Sequence, residues 1–224
     1  MQAAVDGLRA DKARIADLLG EALQIVKPVF RETIWPARCE LVEGAMSTLQ
    51  EYFVPCFAAM ARRQSAILDL VLPERIDAFL VPDCYDRRGG YSHPLTIDVS
   101  HNRGLELCET LLHEVTHVGD VYTQSLGHDS LRDRLAVFFL SQGVSEEQAW
   151  NDWHAVIFAA SADQVRRFIA PAYVDYAKTL NVFASFGMSE LPSSWCAFAN
   201  GAYDEPALFE AIARQMADRE GLVP

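Results

Sequence analysis

Apolar residues recur at helical spacing along most of the chain. Between residues 3 and 26, Leu8, Ile15, Leu18, Leu19, Leu23 and Ile25 repeat with a helical period, and Lys27-Pro28 should break or kink that run. A second long helix is expected after Pro36, from Ala37 to Ala61, carrying Leu41, Val42, Ala45, Leu49, Phe53 and Phe57. Pro55 falls inside it and should kink or split it. Neither helix holds a cluster of catalytic residue types, so both read as scaffold.

After Pro73 the pattern changes. Arg75 to Val81 alternates enough for a short strand, and Leu95 to Val99 for a second, so a hairpin-like pair is expected. The stretch between them, with Gly89-Gly90 at its tip, reads as a loop, and its Asp83 to Arg88 portion as one wall of a cleft. The second strand leads directly into Leu105 to Tyr122, LELCETLLHEVTHVGDVY. At about 100° per residue, Glu106, Thr110, His113, His117 and Asp120 fall within roughly 60° of one another. Leu107, Cys108, Leu111, Val115 and Val118 lie on the opposite arc. That is an amphipathic helix with both histidines on its polar face.

Beyond it, Thr123 to Leu131 reads as a glycine-containing connection and Leu131 to Leu140 as a short helix. Ser145 and Gln148 form an S-x-x-Q capping pattern that opens a helix to about Ile169, stopped by Pro171. Two more helices are expected at Tyr173 to Leu180 and Glu205 to Arg219, with an aromatic linker holding Trp195, Phe198 and Tyr203 between them. The fold class read from this is α+β, mostly α: a small sheet or hairpin beside the histidine helix within one helical domain, 1–224. Its parts are a helical scaffold (1–72), a strand pair with the motif helix (73–122) and C-terminal helices (123–224).

Composition narrows the function. The chain has 224 residues and a net charge of −12, which disfavours nucleic acid and anionic membrane as partners, since both need basic patches. The 5 cysteines are scattered, with no C-x-x-C, and fit a reducing, cytosol-like compartment. The N-terminal stretch carries charges throughout, so no signal peptide is expected, a removed leader excepted.

The chemistry lies in His113-Glu114-Val115-Thr116-His117, an H-E-x-x-H pattern. Histidines four apart on a helix sit one turn apart on one face and can share a metal ion. Glu114, about 100° around from His113, can reach water activated by that ion without ligating it. A catalytic zinc site wants a third protein ligand and an open position. The long continuation with glycine and histidine fails, because Asp120 and Thr123 stand at those positions. A downstream E-x-x-x-D also fails, because Trp150 and Asn151 follow Glu146 and Glu147. The leading candidate is His154, read as an interior helix residue among Trp150, Trp153, Ile157 and Phe158. His128, Asp129 and the two glutamates remain as alternatives. His93 and His101 read as solvated loop residues.

Strand, H-E-x-x-H helix and a later helix bearing His154 to Phe158 together resemble small bacterial zincin-like proteins, over about residues 95 to 170. The resemblance implies a zinc ion held by His113, His117 and His154, with Glu114 as general base, and a sheet edge beside the cleft. It also carries an arginine pair, matched here by Arg166-Arg167, and a tyrosine soon after the phenylalanine, where this chain has Ala159. Arg166, Arg167, Tyr173 and Tyr203 are candidates for stabilising an oxyanion, and Asp120 or Glu106 for orienting a ligand imidazole. The expected activity is zinc-dependent hydrolysis of a peptide or small amide. A metal-stabilised binding or regulatory module without turnover is the alternative.

Overall fold

The structure, a computed structural model, describes residues 2–82 and 89–220. The expected cleft wall from Asp83 to Arg88, with Cys84, lies outside the described residues, as does the side chain of Leu8. The fold is mostly helical with one small three-stranded sheet, the α+β class expected. Contacts divide the chain into two compact units, residues 1–43 and 44–224.

The first unit consists of helix α1 (Gln2–Val29), a π-helical turn at Phe30–Ile34 and the start of α2 (Trp35–Thr48). Ile15, Leu18, Leu19 and Leu23 are exposed, so the apolar period there does not mark a core. Pro28 lies inside α1 without ending it. A second π-helical turn, Leu49–Phe53, joins α2 to α3 (Val54–Leu68). Each wide turn ends two residues before a proline, Pro36 or Pro55, and contains the carbonyl (Glu32 or Glu51) that the proline's missing N–H cannot serve. The N–H groups of Trp35 and Val54 instead reach back five residues, to Phe30 and Leu49. The expected break at Pro55 is thus a widened turn.

In the second unit the sheet runs β1 (Phe79–Val81), β3 (Leu95–Asp98), β2 (Gly90–Ser92). β1 pairs with β3 in parallel, Phe79 opposite Thr96 and Val81 opposite Asp98, so these two strands are not the expected hairpin. The hairpin partner of β3 is β2, Gly90 opposite Ile97 and Ser92 opposite Leu95, in the stretch read as loop. The two-residue connection His93-Pro94 suits an antiparallel return, whereas a parallel pair needs a longer crossover. β1 is shorter than expected: Arg75 and Asp77 lie outside it, exposed and paired with each other.

Helix α4 (Leu105–Ser125) packs on β2 and β3 on one side and on α7 (Trp153–Phe168) on another. Between them in sequence lie α5 (Leu131–Ser141) and α6 (Glu146–Asn151). Ser145 caps α6 as its pattern predicts, accepting from the Gln148 N–H, but the long helix expected here is split at Asp152. The last helices are α8 (Tyr176–Thr179), α9 (Val182–Ser185), α10 (Leu191–Ala199) and α11 (Glu205–Glu220). The expected helix at Tyr173 to Leu180 therefore shrinks to one turn. The expected aromatic linker is helix α10, opened by Pro192, with Trp195 fully buried. Trp195, Trp153, Phe139, Ile157, Leu191 and Ile212 belong to one core that fixes α7 in place.

Candidate metal centre

The floor of the site is α4. It is buried on nearly every side, including the polar face, because α7 covers that face. Fully buried alanines, Ala155, Ala159 and Ala162, keep α7 slim among its neighbours. The two helices are fixed to α3 by a buried contact of Gln64 with Thr116, and by Arg63, which donates to Asp163 at 2.7 Å.

His113 and His117 stand one turn apart on α4, with their Nε2 atoms 3.2 Å apart. His154, in the first turn of α7, faces both: ring centroids are 4.8 Å from His117 and 5.9 Å from His113. One nitrogen from each of the three lies within 4.8 Å of the others, the one such group among the described residues. Nitrogens around a tetrahedral zinc at ~2.1 Å are roughly 3.4 Å apart. The α4 pair is already near that separation, and the 4.8 Å span of the group needs to close by about 1.4 Å. His113 is buried and packed on the Phe158 ring, with centroids 4.1 Å apart; His117 is half-buried and His154 exposed. His154 is therefore not the interior residue expected. The break at Asp152 sets it at the exposed start of α7.

All three imidazoles are shifted toward the neutral form, the buried His113 and the half-buried His117 most strongly. Burial pushes His113 far below the ordinary histidine value, with His117 and His154 adding to the effect. His117 is pushed down to about 3, by burial and then by the charges of His154, Arg132 and His93. His154 is lowered as well, chiefly by burial. Neutral nitrogens converging on one point, with no proton to displace, suit a divalent ion that takes imidazole.

Glu114 is buried, and burial raises its carboxyl to about 7. It passes so close to β2 that a Cβ at position 90 would lie 2.8 Å from its Cγ and 2.7 Å from the Thr96 carbonyl oxygen. Gly90 is what lets strand and side chain share that space.

The remaining candidates fall elsewhere. His128 and Asp129 are exposed in the turn after α4, and Glu146 and Glu147 are exposed in the first turn of α6; none joins the cluster. His101 pairs with the buried Asp98 at 2.6 Å, so it is a loop brace rather than a free histidine. His93 is exposed, its ring 3.1 Å from Ser92 Oγ. Arg166 pairs with Asp175, and Arg167 donates to Asn200 at 2.5 Å. Both lie twelve or more residues along α7 from His154, about 18 Å on a helix. Tyr203 is exposed in the turn before α11, and Tyr173 lies against Glu109. Asp120 binds Ser130 Oγ at 2.6 Å and Arg132 at 2.5 Å rather than an imidazole.

Two further residues around the motif helix went unread in the sequence. Glu109, fully buried one turn before His113, accepts from the Tyr176 N–H at 3.0 Å, and burial pushes its carboxyl up to about 7. Arg132, in the first turn of α5, has its guanidinium 5.0 Å from the Trp150 ring centroid. Glu109 could have been found, since it falls about 40° from His113 on the helical wheel. Arg132 carried no sequence signal.

No helix among the described residues is long and apolar enough to cross a membrane. No protein-family model, curated protein or solved structure matches the chain.

Proposed function

We propose that the chain is a zinc-dependent hydrolase of peptide or small amide bonds, with His113, His117 and His154 as the metal ligands and Glu114 as general base. The observation that carries this reading is the convergence of three neutral histidine nitrogens within 4.8 Å, with the buried carboxylate of Glu114 one residue from the first. A purely structural site needs no such base. Three imidazoles with an exposed side fit a zinc that keeps a position open. A zinc ion held there supplies Lewis acidity to a water molecule and to the scissile carbonyl.

The chain's own part is proton transfer and positioning. Glu114, with its carboxyl near 7, takes up the proton of the attacking water and delivers it to the leaving amine. The Gly90 backbone sets where that carboxylate sits. Among the described residues β2 lies at the edge of the sheet against α4, and an extended peptide can pair with such an edge, which supports a peptide over a compact substrate.

The test is hydrolysis of a peptide library by zinc-loaded protein beside Glu114→Gln. The proposal expects amine release by the parent and a loss of about a hundredfold or more in the variant with zinc retained. One zinc per chain with no hydrolysis of any peptide would leave the binding-module reading in its place.

A further inference from the structure

We infer that Arg132 is the anchor for a carboxylate on the substrate, so that the site takes peptides or acylated amino acids by a free C-terminal carboxylate. The assignment rests on the hydrolase reading above.

Two observations place Arg132 beside the site. Its guanidinium is held by Asp120, which stands one turn past His117 on α4 and is itself fixed by Ser130. On another side it lies 5.0 Å from the ring centroid of Trp150, four residues before His154. A cation fixed between residues one turn from each of two metal-site histidines has a defined position relative to the reacting centre.

The group also retains binding capacity. Asp120 engages Nη1 and Nε is enclosed without a protein partner, so a ligand can reach only the part of the side chain that stays exposed, 26% of it. A guanidinium carries five N–H donors in a planar fork, suited to a second carboxylate. The other arginines considered for an anion are occupied at the far end of α7, Arg166 by Asp175 and Arg167 by Asn200. In a chain of net charge −12, a fixed cation beside the histidines gives an anionic substrate group one local place to bind.

The test compares binding of N-benzoylglycyl-phenylalanine with that of its C-terminal amide by calorimetry. It uses zinc-loaded Glu114→Gln, so that neither probe is turned over, and the zinc content of the same sample is measured. The acid is expected to bind at least about tenfold more tightly than the amide. Adding Arg132→Ala should remove that preference, and adding Arg132→Lys, which keeps a cation beside Asp120, should retain part of it. Equal affinities, or no binding of either probe at millimolar concentration, would overturn the assignment. So would a preference that survives Arg132→Ala, because the metal alone would then be holding the acid. An oxyanion role for Arg132 would leave acid and amide equal. If the protein takes up no zinc, the hydrolase reading fails separately, and the same comparison on metal-free protein still decides for or against Arg132.

Discussion

Glu109→Gln should stabilise the metal-free protein at alkaline pH, although it alters a buried, hydrogen-bonded residue. The Glu109 carboxyl is pushed up from 4.5 to about 7, mainly by burial, against the opposing pull of Tyr176, Tyr173 and Arg166. Between those two values the unfolded chain has released the proton and the folded chain retains it. Stability therefore falls as pH rises across that window, and above it the full difference applies, about 3 kcal/mol. The substituted amide keeps an oxygen for the Tyr176 N–H and carries no charge to desolvate. Urea denaturation in the presence of a chelator, at pH 5 and pH 8, measures the effect. The variant should match the parent within about 1 kcal/mol at pH 5 and exceed it by about 2–3 kcal/mol at pH 8. A variant less stable than the parent at pH 8, or a difference that does not change with pH, would refute the reasoning.

Other perturbations separate parts of the account. Gly90→Ala should cost about 1–3 kcal/mol in denaturant midpoint and reduce hydrolysis, because its Cβ meets the backbone oxygen of Thr96 as well as Glu114. Gly119→Ala should be nearly neutral: its Cβ touches Leu70 at ordinary contact distance and crowds only the end of Leu72, which borders a cavity of about 360 Å³ and can turn into it. Zinc at a hundredfold its dissociation constant should stabilise the protein by about 2.7 kcal/mol in a thermal melt, an effect lost in His154→Ala and kept in Asp129→Ala. Since His113 and His117 are shifted strongly toward the neutral form and His154 in the same direction, zinc affinity measured by chelator competition should change less than about threefold between pH 8 and pH 6. A steep loss at pH 6 would show that protons compete at those nitrogens.

What the sequence revealed depended on how local each cause was. The motif helix was legible because its period and its histidine spacing are both set within α4. His154 was legible because a histidine among aromatic residues is chemically out of place, although its setting was misjudged. The break at Asp152 that exposes it carries no proline or glycine to signal it in the sequence. Burial of the polar face of α4 could not be read either, since it comes from α7 lying across it. Another distant segment, Tyr173 to Ala177, lies against Glu109 and makes it a fully buried acid. β2 escaped notice because Gly90, Tyr91 and Ser92 have no strand signature; their role is to pair with Ile97, Thr96 and Leu95 and leave room for Glu114. Arg132 reaches the site only through Asp120 on one helix and Trp150 on another.

The most direct test of the central claim is elemental analysis of the protein after zinc loading and removal of excess metal, beside His154→Ala prepared in the same way. The account predicts about one zinc per parent chain and little or none in the variant, as a three-histidine centre requires. A parent that retains no metal would contradict it, and zinc retained in full by His154→Ala would contradict the ligand set.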